Sequence, residues 1–191
     1  MGREFELKFQ ADSEKIAAIR AKYGEFTPIS METTYYDTQD LKLAFHHWTL
    51  RRRMENGVSV CTFKRPHADG GRGEWEVEAP SIMDGVMKLC QNGADWELMR
   101  ISSGGLVQTC GARFTRLAAT LEVPGGKVEL ALDQGVLLGR GKELPFAEVE
   151  VELKEGPDDV AETFAKALAE EFLLIPEPKS KFVRAMTLAM T

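Results

Sequence analysis

Carboxylates recur at every second position in three stretches of this chain: Glu4 and Glu6, then Glu74, Glu76 and Glu78, then Glu148, Glu150 and Glu152. Cations keep the same spacing. Lys8 continues the first stretch, Arg72 heads the second, and Arg51 and Arg53 form a pair of their own. Glu129 and Asp133 align with Ala131 between them. Residues two apart on a strand share a face at roughly 7 Å, so each stretch presents a row of charge. Like charges side by side repel unless a cation lies among them. Hard divalent cations such as Mg²⁺ take oxygen ligands, commonly one or two carboxylates with phosphate oxygens completing the shell. Arg as a bidentate fork and Lys as a point charge suit the phosphates themselves. Rows of both signs around one interior would therefore suit a polyanion bound through metal. The same alternation also describes the wet face of a half-buried antiparallel sheet, and periodicity leaves both readings open.

The elements that would carry these rows are legible in outline. Glu4 to Phe9 alternates as a strand does, and Asp12 or Ser13 then caps a helix to about Tyr23. Its inward stripe is Ile16, Ile19 and Tyr23, and Gly24 stops it. Thr33 to Tyr36 reads as a strand and Asp37 to Asp40 as a turn. Thr49 to Met54 and Val58 to Lys64 flank Asn56-Gly57, the strongest hairpin signal present. After Gly70-Gly71, residues 72–78 alternate again. Ser81 with Asp84 opens a helix carrying Met83, Val86, Met87 and Cys90. A short helix holds Trp96 and Met99 before Gly104-Gly105. Arg116 to Val123 and Lys127 to Leu132 flank Pro124-Gly125-Gly126, and Glu148 to Lys154 is one more strand. Pro157 and Asp158 begin a helix with Val160, Phe164, Leu168 and Phe172 on one side, and Ser180 caps a last helix to about Met190. About eight strands, mostly hairpin-linked, predict an α+β fold dominated by an antiparallel sheet, open or closed into a barrel.

Composition narrows the function classes. A chain of 191 residues suits one domain, and 43% hydrophobic with 28% charged residues suits a buried core rather than disorder. The net charge of -6 argues against a phosphate-neutralising surface for duplex nucleic acid. Cys61, Cys90 and Cys110 are too few and scattered for a disulfide scaffold or zinc ribbon. Apolar runs fall far short of the roughly 20 residues that span a bilayer, and the charged N-terminus is not a signal-peptide core. These features predict a soluble, cytoplasmic, single-domain protein over residues 1–191, with no nucleic-acid or membrane partner.

The order of the motifs is more specific than any one of them. Glu4-x-Glu6-x-Lys8 is followed by Tyr35-Tyr36-Asp37-Thr38, Leu50-Arg51-Arg52-Arg53, Thr62-Phe63-Lys64 and Arg72-Gly73-Glu74. Then come Arg116, Glu129 with Ala131-Leu132-Asp133-Gln134-Gly135, Glu148-x-Glu150-x-Glu152, and Ser180-Lys181 with Arg184. This succession resembles the CYTH superfamily, the triphosphate tunnel metalloenzymes, over about residues 3–185. Thr49 stands where members usually carry Gly, and Arg52 where the residue is usually apolar; Arg52 is expected to point outward.

The resemblance implies an eight-stranded antiparallel β-barrel forming a tunnel, with charged faces inward and helices outside. It implies Mg²⁺ or Mn²⁺ on Glu4, Glu6, Glu148 and Glu150, with Glu74 and Asp133 at a second metal position. Lys8, Arg51, Arg53, Lys64, Arg72, Arg116, Lys181 and Arg184 would grip a triphosphate. Lys8, Glu4 and Glu6 become candidate catalytic residues. Tyr35 and Tyr36 straddle two faces, and Tyr36 is the candidate to orient water or phosphate. Such a site would hydrolyse a triphosphate, with inorganic tripolyphosphate going to pyrophosphate and phosphate as the first choice. Class IV adenylyl cyclase, thiamine or nucleoside triphosphatase, and a non-catalytic polyphosphate- or nucleotide-binding module are the alternatives. Homodimerisation stays open. Some bacterial members append a histidine-rich helical domain, so a chain of this length is expected to be a stand-alone form or part of a longer protein.

Other signals carry less. His46-His47 reads as loop, because adjacent strand residues diverge and no third ligand has suitable spacing. Gly70 to Gly73 lacks the Lys-Ser/Thr of a P-loop and reads as a strand connection. Cys61 is expected to pack outward, and Trp48, Trp75 and Trp96 to be core or interface aromatics.

Overall fold

The computed structural model of the chain describes residues 2–67 and 72–191. Gly70-Gly71 therefore lies outside the described residues. Among the described residues ten strands form one antiparallel sheet. In chain order they are β1 Gly2–Arg3, β2 Glu6–Gln10, β3 Thr27–Asp37, β4 Thr49–Glu55, β5 Val58–Pro66, β6 Arg72–Glu78, β7 Val107–Val123, β8 Gly126–Gly139, β9 Lys142–Glu155 and β10 Ile175–Pro176. Their spatial order is β1-β6-β5-β4-β3-β7-β8-β9-β2-β10. The chain from Gly2 to Gln10 serves both ends of this order. Residues 2–3 pair with β6 and residues 6–10 with β9. Between them the Leu153 N–H donates to the Phe5 carbonyl at 2.9 Å. The sheet is thus barrel-like, its two edges joined through one continuous segment. Taking β1 and β2 as halves of that strand, and setting aside the two-residue β10, eight strands make the wall.

Six helices accompany it among the described residues: α1 Ser13–Tyr23, α2 Lys42–Phe45, α3 Ile82–Gln91, α4 Trp96–Ser102, α5 Asp158–Phe172 and α6 Lys181–Met190. Their starts follow side-chain chemistry. Asp12, Ser81 and Ser180 each accept an N–H from the residue three positions on, satisfying one of the orphan donors of the first turn. No helix among the described residues is long and apolar enough to cross a membrane.

Two cores lie outside the sheet and one inside it. Ile16, Ile19, Val160 and Leu168 of α1 and α5 pack on Leu130, Leu132, Val149 and Val151, the outward residues of β8 and β9. Leu43, Val86, Leu89 and Leu98 of α2, α3 and α4 cover Leu50, Cys61, Phe63 and Trp75 of β4, β5 and β6. The third core differs in kind. Ala185 of α6, with Phe182 and Met186 beside it, packs on Met31, Tyr35, Ala112, Phe114 and Leu137. Tyr35 pairs across β4 with Arg51, and Phe114 lies two residues from Arg116 on one strand, so this core occupies the charged face. Helix α6 fills part of the barrel interior.

That placement explains where the strands exceed their expected bounds. β3, β7, β8 and β9 each run longer, because their extensions carry apolar residues inward under α6 and lose the charged alternation. The turn between β8 and β9 was not legible either. Arg140 and Gly141 take φ of 49° and 75°, the same left-handed pair that Asn56 (48°) and Gly57 (85°) supply in the recognised hairpin, without the Asn or Asp that usually announces it. Helix α2 has no side-chain cap of its own to announce it. It is organised by the Asp37 carboxylate, which accepts N–H groups from Thr38, Leu43 and Ala44 at 2.7–2.9 Å. Cys61 and Arg52 do face outward, the latter donating Nε–H to Ser59 Oγ at 2.8 Å. Trp75 is buried in the second core and Trp48 half-buried against it, whereas Trp96 stands 57% exposed on the surface.

At Gly139 the backbone of α6 lies close against β8. A Cβ there would lie 2.6 Å from the Ala189 nitrogen and 2.9 Å from the Ala185 carbonyl, backbone atoms that cannot swing aside. Gly139→Ala is therefore expected to lower the melting temperature, with a cost of about 1–3 kcal/mol from overpacking, measured by thermal denaturation against wild type.

Candidate active site

The inner face of the barrel lines two chambers that share part of their walls. The first has a volume of about 670 Å³ and the second about 570 Å³. Glu4, Arg51, Arg53 and Arg116 line both and form a belt between them. Of the candidate cations, Lys8, Lys64, Arg72 and Lys181 also line the first chamber. Of the candidate metal ligands, Glu6 and Glu150 do so as well, while Glu74 lines the second.

Three candidates stand behind the wall of the first chamber. Asp133 and Glu148 are fully buried, and the Lys181 ammonium lies among their carboxylates. It is 2.7 Å from Asp133 and 2.6 Å from Glu150, and also bonds Glu148. Arg116 forks onto Asp133 with bonds of 2.8 and 2.7 Å and reaches Glu150 as well. Arg184 pairs with Glu148 and lies 3.8 Å from Glu177. Burial alone would raise the Glu150 carboxyl, yet the Lys181 and Arg116 charges hold it well below the usual range. For Glu148 burial prevails, with Glu150 adding repulsion, and its pKa is raised. Arg184 thus faces this ion network and not the lumen.

On the opposite wall Lys64 bridges Glu4 at 2.6 Å and Glu74 at 3.2 Å. Burial pushes Glu74 up to about 7, helped by its hydrogen bond with Glu4. Glu4 falls to about 2 against its own burial, because that bond and Lys64 favour its charged form. The structure does not bring Glu74 and Asp133 together: one belongs to the Glu4–Lys64 wall, the other to the Lys181 network. Glu6 has the least compensation. Burial and the charges of Glu150 and Glu4 raise its carboxyl to about 7, and its cation, Lys8, is 3.9 Å away.

Within the belt Arg53 is also undercompensated, with the opposite sign, whereas Arg116 is paired and, against burial, the charges of Glu74, Glu4 and Glu76 raise Arg51. Burial and the Arg51 and Arg116 guanidiniums lower Arg53 to about 10. Its Nε–H reaches Thr33 Oγ1 at 2.9 Å, and Glu55 is 3.7 Å away. The buried Arg51 Nε has no hydrogen-bond partner among the described residues.

Tyr36 is a correction. It packs on the outer wall with the second core, and it is the neighbouring Tyr35 that lines the first chamber, its ring 5.0 Å from that of Phe182. Alternation allowed either tyrosine inward, and the register of Tyr35 opposite Arg51 decides it. Glu76, Glu129, Glu152 and Lys154, which line the second chamber, were not site candidates. Parity with Glu74 and Glu150 was the available signal.

The CYTH domain model matches residues 2–186. The chain belongs to the CYTH domain family. An inorganic triphosphatase of Haemophilus influenzae is 29% identical over 164 residues, which is 82% of this chain and 46% of that protein; the chain thus spans about half the length of this curated relative. Two solved structures share the fold. A putative adenylyl cyclase from Hippeastrum, described as having a dominant triphosphatase activity, has a TM-score of 0.69 at 18% identity, covering 97% of this chain and 96% of its own. A putative adenylate cyclase from Bacillus halodurans has a TM-score of 0.66 at 20% identity, covering 94% and 96%.

The donor set of this CYTH domain fits a hard divalent cation. Glu4, Glu6 and Glu150 offer carboxylate oxygen to the lumen, and Glu6 lacks the positive charge that would keep it ionised. Asp133, Glu148 and Glu150 also bring ligand oxygens within 4.8 Å of one another, but the cation among them is Lys181.

The raised Glu6 carboxyl has a consequence for stability. The folded protein holds a proton on Glu6 that the unfolded chain releases above about 4.5, so this stabilisation is present below 4.5 and is lost as pH rises through about 7. Glu4, lowered to about 2, acts only in the acid range below 4.5. In chelator, Glu6→Gln is expected to be more stable than wild type near pH 8, by on the order of 1–3 kcal/mol, and nearly equal to it near pH 5. Melting curves at the two pH values check this.

Proposed function

We propose that this protein hydrolyses inorganic tripolyphosphate to pyrophosphate and phosphate with Mg²⁺ or Mn²⁺ bound in the lumen. One observation carries the reading: uncompensated charge of both signs faces one enclosed space. Arg53 is held beside Arg51 and Arg116 without a full complement of anions, and Glu6 is held beside Glu150 and Glu4 without a strong cation. A polyanion carrying divalent metal relieves both at once. The H. influenzae relative supports this choice of reaction.

In this reading Arg51, Arg53 and Arg116 grip the phosphate oxygens at the belt, with Lys8, Lys64, Arg72 and Lys181 around the first chamber. Their charge stabilises what develops on the phosphoryl group in the transition state. Glu4, Glu6 and Glu150 would hold the metal, which supplies charge neutralisation and acidifies water. Tyr35, fixed against Phe182, and not Tyr36, would orient water or phosphate. Asp133, Glu148 and Arg184 act through Lys181 and Arg116, positioning them. The rings lining the first chamber are Phe5, Tyr35 and Phe182, and the last two pack on each other. This favours an unadorned triphosphate over adenylyl cyclase or thiamine triphosphatase chemistry, which adds an organic group. The proposal includes one domain over residues 1–191 and a cytoplasmic small-molecule substrate.

Phosphate release from tripolyphosphate, ATP and thiamine triphosphate, with Mg²⁺, Mn²⁺ or excess chelator, tests it. Expected is metal-dependent release fastest from tripolyphosphate and reduced roughly 100-fold or more in Glu4→Gln. No phosphate from any substrate overturns the hydrolase. A binding module would remain if Glu4→Gln kept or improved metal-free affinity for polyphosphate.

A further inference from the structure

The lumen changes sign along its length. Beyond the four shared belt residues, the first chamber sets Lys8, Lys64, Arg72 and Lys181 against Glu6 and Glu150. The second sets Glu55, Glu74, Glu76, Glu129 and Glu152 against Lys154, with Glu74 also 3.2 Å from Lys64 and Glu55 3.7 Å from Arg53. The order follows the strands. On β4 the inward residues run Thr49, Arg51, Arg53, Glu55, and on β9 they run Glu150, Glu152, Lys154. Register sharpens the contrast, because Glu129 of β8 is directly opposite Glu152 of β9, which is directly opposite Glu6 of β2. Lys154 is already engaged, 2.9 Å from Glu152 and 4.0 Å from Glu129.

We propose that the second chamber is an anion barrier, so that a linear polyphosphate enters through the first chamber, is stopped at the arginine belt, and cannot thread through the barrel. The lumen is then a blind-ended site for anions, and the far carboxylates limit how many phosphoryl groups it engages. This rests on the reading of the lumen as a phosphate-chain site. Like charges a few ångströms apart repel several times more strongly at the dielectric of a protein surface than in water. Low-dielectric walls focus the field further. A phosphoryl group pushed past the belt would meet several carboxylates at once, and such repulsion selects against the longer ligand more than against the shorter.

The test compares binding of tripolyphosphate and tetrapolyphosphate in chelator, where no turnover is needed, for wild type, Glu129→Gln/Glu152→Gln, and a surface control, Glu122→Gln/Glu143→Gln. The barrier predicts that the lumen variant improves tetrapolyphosphate affinity relative to tripolyphosphate by roughly tenfold, about 1.4 kcal/mol, and that the control leaves the ratio unchanged. A ratio unchanged in the lumen variant, or shifted equally by the control, overturns it. The variant relieves the Glu129–Glu152 repulsion but also takes both carboxylates from Lys154, so melting curves are recorded alongside, and an unchanged ratio in a variant that melts cooperatively overturns the barrier. Failure of the hydrolase reading shows separately, as absence of phosphate release with binding intact. Absence of all polyphosphate binding by wild type removes barrier and hydrolase together.

Discussion

The buried ammonium of Lys181, enclosed by the carboxylates of Asp133, Glu148 and Glu150, is the interaction on which the rest of the lumen depends. Three carboxylates this close would be prohibitive in a protein interior without a cation. The cation comes from the first residue of α6, so the helix that closes part of the barrel also neutralises its most buried charges. Arg116 and Arg184 complete the network, and the Phe114 and Phe146 rings lie 5.1 and 5.6 Å from the ammonium, a cation–π environment on two sides. Removing one partner from such a network typically costs 3–5 kcal/mol, because a charge is left buried and unpaired.

A barrel with a charged interior cannot draw its main hydrophobic stabilisation from that interior. The two outer cores supply it instead. Helices α1 and α5 cover one flank and α2, α3 and α4 another, so the strands are apolar outward and polar inward over much of their length. Under α6 the inner face turns apolar. This inversion frees the lumen for chemistry: its side chains need not pack, and their unbalanced charges can be held in place by the wall.

The resulting site is divided. Charges near α6 are balanced within the protein, while Glu6 and Arg53 are not. The balanced group positions and the unbalanced group is available, although both are made of the same residue types. Glu148 and Glu150 illustrate this two residues apart on one strand, the first wholly buried against Lys181 and Arg184, the second also reaching the cavity.

Much of this was legible in the chain itself. The alternation from Glu4 to Lys8 and from Glu148 to Glu152 determined which side chains share a face, because strand geometry alone enforces a period of two. The caps at Asp12, Ser81 and Ser180 and the Asn56-Gly57 turn are local chemistry and needed no tertiary context. The succession of motifs determined the family. Which tyrosine faces inward, which carboxylates meet a lysine, and where the lumen changes sign were decided only by the tertiary structure. Those outcomes depend on cross-strand register and on α6 entering the barrel, and both are set by contacts between residues far apart in sequence. The separation of Glu74 from Asp133, and the pairing of Asp133 with a lysine 48 positions later in the chain, have no local signal, since neither residue's neighbours differ from those of any other charged strand.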